Sequence, residues 1–502
     1  MQNFTYNGTL NSYDMEKIIK KFSKSLLERI DNKKIHIVSH YDTDGITSAA
    51  IFSKTLERLN KQFSLKIIKQ LTKEEIKSFP KDKLIILLDL GSSSLGELSS
   101  LGNEIFIIDH HEIDLILSKT SCVLPTPKSD SLKLFPASKD DNSKTAPLIS
   151  VENPENLENY DFHYNPRICI LNNHLFENYE NLCGAELSYL VSRCISEENK
   201  DLAHLAILGM IGDTMEKDIN KTRNRIINEA NVRIKKGLLI YPSTRPLDKA
   251  LEYSARPFIP GITGDSKGTF NLLKEIGIER TGKNYKSLID LDNDEMKRLV
   301  TAIMLRLNSD EKTSKLIGNL YLIKFLNKIE DAREVSAIIN ACGRMDRTEI
   351  ALMLCLGNNS ARKRAENIYV KYRQNIILGL RYIEENSKIQ GKNYIIINGK
   401  DKIKDTIIGT LASILSFSSI YKEGTIIIAM AYNEDKIKIS ARISGKSGNN
   451  KSLKELMNYI TACLGGESGG HKEAAGCTIK KDDENKFIEL VQKKFEYETI
   501  KI

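Results

Sequence analysis

The sequence predicts an α/β protein: a parallel sheet buried between helical layers, a mainly helical stretch, then a second, smaller α/β unit. Three observations carry this expectation. Short β-branched runs, apolar on both faces, alternate with segments of helical period in the first part of the chain. Helical period dominates from about Asn220 to Asn375. Strand-like runs return near Lys392.

Taken in order, IHIVSH (35–40) is a β-branched run that ends in polar residues. Asp44 to Leu59 reads as a helix, with Ile46, Ala49, Ala50, Phe52 and Leu56 on roughly one side. FSLKII (63–68), KLIILLDLG (83–91) and EIFIIDHH (104–111) are further short apolar runs, most of them ending in charged or polar residues. Residues 118–162 break the pattern. They are rich in Ser, Asp, Asn, Lys and Pro and read as a long surface insertion, at least partly mobile. Helices are expected at Gly184–Glu197 and Lys200–Gly212, and a Pro- and Gly-rich loop at 244–268. In the second unit, 393–399, 424–432 and 436–444 read as strands, and Asp405–Leu415 and Ser452–Cys463 as helices. The division expected is 1–235, 236–385 and 386–502.

Composition narrows the class. Hydrophobic residues make up 41% and charged residues 28% of 502, which is neither a disordered nor a membrane composition. Runs such as Leu84–Leu88 are far too short to span a bilayer. The eight cysteines contain no CxxC pair, so zinc-ribbon spacing is absent and buried thiols in a reducing cytoplasm are expected. The net charge is +8. It fits either a Lys-rich solvated surface or attraction to a polyanion such as nucleic acid, and net charge alone does not choose.

The chemistry gathers at strand ends. The first strand ends in His40-Tyr41-Asp42-Thr43-Asp44-Gly45, the third in Asp89, the fourth in Asp109-His110-His111, and a later helix in Gly212-Asp213. In a parallel sheet, ligands bind at the carboxyl ends of the strands. Carboxylates and imidazoles together suit Mn2+ or a similar ion. Several such ends converging on one cleft can hold two ions that share a bridging carboxylate. A lone DxDG is usually a turn and a lone HH a surface pair; their joint occurrence in this order is much harder to set aside. Near the C-terminus, GGESGGHKEAAG (465–476) offers backbone amides that can approach an anion closely, with His471 and Lys472 as added donors. Gly469, Gly470, His471 and Lys472 form a candidate phosphate grip, read as a loop that opens a helix N-terminus.

These motifs resemble the DHH phosphoesterase family, and within it the RecJ-like nucleases. HYDTDG, LLDLG, IIDHH and MIGD are similar to the family's first four motifs, and GGHKEAAG to the signature of the companion DHHA1 domain. Asn172–Phe176, Thr244–Leu247, Cys342–Met345 and Ile408–Thr410 resemble segments of the archaeal RecJ-like, GINS-associated subgroup. The resemblance implies one ion on His40, Asp42 and Asp89 and a second on Asp44, Asp89, His110 and Asp213. It further implies His111 at a phosphate oxygen, Asp109 orienting an imidazole, and Arg442 on substrate phosphate. Three features depart from the family pattern: Asn173 where a proline is usual, Cys183 where a small hydroxyl residue is usual, and a longer insertion after Asp114.

The expected function is therefore a cytoplasmic, two-metal exonuclease acting on single-stranded DNA, or RNA, in replication or repair. Mn2+ is the expected ion and Mg2+ the alternative. Expected partners are single-stranded nucleic acid and GINS or another replisome protein, with no membrane. Two rival readings stay open: a phosphodiesterase of small oligonucleotides or cyclic dinucleotides, and a helicase-associated scaffold.

Overall fold

The structure is a computed structural model that describes residues 12–113, 163–175, 180–240, 242–254, 259–307, 316–417, 420–445, 452–470 and 472–500. The insertion expected at 118–162 lies outside the described residues. The chain forms two compact units, 1–343 with 347–365, and 344–346 with 366–502.

The first unit opens with α1 (Ser12–Ile30), β1 (Ile35–His40), α2 (Thr43–Arg58), β2 (Phe63–Ile68), α3 (Lys73–Lys77), β3 (Leu84–Leu88), α4 (Leu95–Ser99) and β4 (Ile105–Ile108). After the insertion come β5 (His163–Asn165), β6 (Ile168–Leu171), α5 (Gly184–Ile195), α6 (Ala203–Gly212) and α7 (Lys221–Glu229). Strands β1 to β6 form one sheet in the order β2-β1-β3-β4-β6-β5, parallel except for β5 at the edge. Every residue of β3, β4 and β6 is buried. This is why those strands read as unbroken apolar runs: a sheet covered by helices has no solvent face to alternate toward. Each fully buried Ile or Leu contributes about 1.5–3 kcal/mol, so this sheet is the rigid floor on which the strand ends are set.

The unit continues with β7 (Arg233–Leu238), α8 (Leu247–Glu252), α9 (Ser266–Glu275), β8 (Arg280–Thr281), β9 (Asn284–Tyr285) and α10 (Asn293–Leu307). Then follow β10 (Ile317–Phe325), β11 (Lys328–Asp331), α11 (Ala332–Arg344), α12 (Thr348–Cys355) and the start of α13 (Asn359–Glu385), which belongs to the second unit from Glu366 on. The helical expectation omits a three-stranded antiparallel sheet here, β11-β10-β7. Its edge strand β7, RIKKGL, is lysine-rich and half exposed, so neither alternation nor an apolar run marks it.

The second unit holds β12 (Ile389–Gln390), β13 (Tyr394–Asn398), α14 (Asp405–Phe417), β14 (Ile426–Asn433), β15 (Lys436–Ile443), α15 (Leu453–Leu464), β16 (Glu467–Gly470), β17 (Ala474–Lys480) and α16 (Glu484–Ile500). Its sheet runs β12-β13-β14-β15-β17-β16, with β13 and β14 parallel and the other pairs antiparallel. Buried residues of α15 and α16, including Met457, Ile460, Phe487 and Val491, close one face of this sheet. The expectation of a helix N-terminus at GGESGGHKEAAG is corrected: the segment is a hairpin, in which Gly469 pairs with Gly476 and Gly470 with Ala475. Beside β15, the row Ala474 to Lys480 completes a sheet ladder, and those backbone bonds outweigh a helical start.

Candidate metal centre

The carboxyl ends of β1, β3 and β4 and the end of α6 bring His40, Asp42, Asp44, Asp89, His110, His111 and Asp213 together. Three sets of these residues place one ligand atom each within 4.8 Å of the others: His40 with Asp42 and Asp89, Asp44 with His110 and Asp213, and Asp89 with His110 and His111.

Local structure explains each position. Asp42 caps α2: its Oδ1 accepts from Gly45 N at 3.0 Å, leaving Oδ2 2.9 Å from His40 Nδ1. Gly45 is required because a Cβ there would lie 2.3 Å from the His40 carbonyl oxygen. Asp44 faces inward from the first turn of α2 and is held by α5, whose Gly184 and Ala185 amides donate to Oδ2 and Oδ1 at 2.7 and 2.8 Å. A helix N-terminus favours a carboxylate there. The same crowding excludes side chains at Gly184 and Gly209, where a Cβ would lie 3.0 and 2.6 Å from the Asp44 carboxylate oxygens.

Asp89 stands at the end of β3 with φ +58°, a left-handed backbone that costs an aspartate energy and so marks a held geometry. It is 1% exposed, and neither carboxylate oxygen has a hydrogen-bond partner among the described residues. Oδ2 faces His40 Nδ1 at 3.5 Å and Oδ1 faces His110 Nε2 at 3.3 Å. His110 Nε2 also lies 3.6 Å from both Asp44 Oδ2 and Asp213 Oδ2. Asp109 is fully buried. Its Oδ1 accepts from the His110 and His111 amides at 2.8 and 3.2 Å and pairs with His111 Nδ1 at 2.7 Å, while Oδ2 accepts from Ser92 N at 2.9 Å. It therefore aims the His111 imidazole and holds the His110 backbone, and it leaves His111 Nε2 free of this contact on a side chain that is 41% exposed.

The electrostatics are those of a cation site. Burial, then Asp89, hold the Asp44 carboxyl well above its ordinary range. Burial, with Asp89 and Asp42 against the pull of His110, raises Asp213 to about 6. Burial opposes protonation of His40 and His110, yet the surrounding aspartates keep both above the ordinary histidine value. Burial also opposes ionisation of Asp42 and Asp109, but His40 and His111 draw them below the usual carboxylate range. Crowded carboxylates that resist ionisation mark a negative field, which a divalent cation relieves.

Sequence reasoning missed several groups. The Gly184 and Ala185 amides left one trace, a glutamate three residues after Cys183, the spacing of a capping box. Buried Asn172 donates Nδ2 to Ser92 Oγ at 2.7 Å and to the His111 carbonyl at 2.9 Å, steadying the HH turn. Asn173, at the position where the family usually has proline, donates to the Leu182 carbonyl at 2.5 Å.

The phosphate-grip candidates lie in the second unit. Arg442 is half-buried on β15 and donates Nε to Ser413 Oγ at 3.0 Å and Nη1 to the Ala441 carbonyl at 2.8 Å. Gly469 and Gly470 are exposed on β16, Lys472 is exposed in the hairpin turn, and His471 lies outside the described residues.

An α/β fold with histidines and aspartates gathered at the ends of a parallel sheet defines a class of metal-assisted hydrolases. Comparison with known proteins supplies the family. Residues 34–134 match the N-terminal domain of the DHH family, 240–320 the DHH-CID domain and 391–496 the DHHA1 domain. The chain carries the DHH, DHH-CID and DHHA1 domains of the DHH family, and these matches support a phosphoesterase, a hydrolase. An uncharacterised Methanocaldococcus jannaschii protein is 28% identical over 497 residues, covering 95% of this chain and 98% of that one. A Bacillus subtilis prophage protein named as a single-strand DNA-specific exonuclease is 23% identical over 369 residues, 64% of this chain and 55% of that protein. Among solved structures, Thermus thermophilus RecJ in complex with Mn2+ is similar at 17% identity and a TM-score of 0.53, over 96% of this chain and 55% of that one. CDC45 from Entamoeba histolytica is similar at 14% identity and a TM-score of 0.59, over 95% and 98%. At these identities the structural likeness is one of fold. Among the described residues, no helix is long and apolar enough to cross a membrane.

Proposed function

We propose that this chain is an exonuclease that hydrolyses phosphodiester bonds of single-stranded DNA with two divalent ions, Mn2+ first among them. The observation that carries this reading is Asp89, a buried carboxylate whose two oxygens lack hydrogen-bond partners among the described residues and face two different imidazoles. An acceptor pair so placed costs stability unless cations complete it. In this reading His40, Asp42 and Asp89 hold one ion, and Asp44, Asp89, His110 and Asp213 hold the other. Bound there, the ions would lower the pKa of a water and neutralise charge developing on the phosphoryl oxygens. Asp109 fixes His111 so that its Nε2 can donate to a phosphate oxygen of the strand. Arg442, Lys472 and the Gly469–Gly470 backbone hold phosphates of the strand in the second unit. The preference for single strands is supported by the B. subtilis relative's name. The subgroup resemblance extends the proposal to a replisome partner, GINS being the first to test by co-elution in gel filtration.

End-labelled single-stranded DNA, single-stranded RNA and blunt duplex, each incubated with Mn2+, Mg2+ or EDTA, test the reading. Progressive shortening of single-stranded DNA with Mn2+, abolished by EDTA and slow on blunt duplex, is the expected result. Cleavage confined to dinucleotides would move the assignment to a small-substrate phosphodiesterase. No cleavage with either ion would move it to a scaffold.

A further inference from the structure

We infer that Arg223 is a positioning residue for the proposed metal centre, in that one buried guanidinium sets the separation of Asp44 from Asp213. The inference rests on the two-ion reading above. Arg223 lies on α7 and is fully buried. Its Nε donates to Glu186 Oε1 at 2.7 Å, and Nη2 donates to Glu186 Oε2 at 2.7 Å and to the Asn181 carbonyl at 2.8 Å. Nη1 donates to the Met215 carbonyl at 3.2 Å and to the Asp218 carbonyl. A guanidinium has five N–H groups, and these acceptors use all five.

The acceptors belong to two arms of the site. Asn181 and Glu186 bracket the start of α5, and Glu186 Oε2 also accepts from Cys183 N at 3.0 Å. That start is the turn whose Gly184 and Ala185 amides hold the two oxygens of Asp44. Met215 and Asp218 form the turn directly after Asp213, which itself caps the C-terminus of α6. The two carboxylates meet at His110 Nε2, 3.6 Å from each. Arg223 therefore grips the support of one ligand with one edge of its fork and the support of the other with the opposite edge.

Stability alone does not account for such a pair. Two fully buried charges lose about as much in desolvation as they regain, and an apolar pair of similar size is often as stable. Five directional bonds from one rigid plane do what an apolar pair cannot: they fix the spacing of two backbone turns. Lysine, a single point charge on a flexible stem, does not reproduce that fork.

Calorimetric titration of the full-length chain with Mn2+ tests this, alongside thermal melting and steady-state kinetics. Two variants are compared with wild type: Arg223→Lys, and the double variant Arg223→Met with Glu186→Gln. The double variant removes both charges together and keeps an acceptor for Cys183 N, so it guards against a trivial loss of folding. Two Mn2+ ions on wild type and, in the folded variants, one of them bound roughly 10- to 100-fold more weakly are expected, the usual cost of losing a group that orients a ligand. High Mn2+ should restore kcat, with KM for the strand unchanged. A wild-type chain that binds no Mn2+ overturns the metal reading itself. Two wild-type affinities in the folded double variant, whatever its Tm, overturn the role of Arg223 and leave the metal reading standing.

Discussion

Asp89 combines three conditions that rarely meet in one residue: a left-handed backbone, near-complete burial, and two carboxylate oxygens with no hydrogen-bond donor among the described residues. Each is a cost, and cations at both oxygens, as proposed, would offset it. Asp89→Asn keeps the shape and removes the charge. It should lower nuclease activity by on the order of 10²–10³-fold or more, the scale of losing one preorganised electrostatic group. Tm without metal should change little, because relief of the crowding on Asp44 and Asp213 offsets the lost pairing with His40 and His110. Activity near wild type in that variant, insensitive to EDTA, would rule out a bridging role.

At the scale of elements, the site is assembled by helices that come from distant parts of the sequence. α2 carries Asp44, α5 holds it, α6 ends in Asp213, and α11 accepts Thr43 Oγ1 at the Ser336 carbonyl, 3.0 Å away. α11 also begins with Glu334, a 2% exposed carboxylate paired with Arg245 at 2.5 Å. Burial pushes Glu334 up to about 7, with Arg245 opposing. Its folded pKa thus lies above the ordinary glutamate value of about 4.3 expected when unfolded. Between those two values the folded chain holds the extra proton, so stability falls as pH rises from about 4.3 to about 7 and is level above. Glu334→Gln should remove that slope. Melting of both proteins across pH 4.5–8 checks it, and parallel Tm curves would refute the assignment.

For the whole molecule, the division into two compact units predicts a division of labour. The proposed metal ligands all lie in the first unit and Arg442 lies in the second. Removing one charged phosphate contact costs about 1.5–3 kcal/mol, or roughly one to two decades of affinity. Arg442→Ala should therefore raise KM on long single strands by that factor and flatten the salt dependence of binding, with Mn2+ binding intact. Loss of a Mn2+ site in that variant would make Arg442 a ligand. Unchanged KM and salt slope would remove the second unit from the phosphate grip.

Much of this was legible in the chain itself. The runs at 35–40, 63–68, 83–91 and 104–111 could be read as strands because a doubly covered sheet favours apolar residues; β1 and β2 have those bounds, and β3 and β4 lie within the last two. The residues that gather at the centre could be named because polar groups following such runs fall at strand ends. Less legible was anything set by long-range backbone bonds. The β7-β10-β11 sheet pairs residues about eighty positions apart, and its basic edge strand carries no period. The strand 474–480 of this segment follows from pairing with β15, while Gly470 supplies the positive φ that leads into the turn. Gly184 and Ala185 act through backbone amides, Asn172 through its side-chain amide on the His111 carbonyl, and Arg223 through acceptors in two separate turns. Period, and the polar groups that follow the apolar runs, thus marked which side chains gather at the proposed centre. Only the tertiary structure decided what holds them in place, because those supports are hydrogen bonds between segments that sequence order keeps apart.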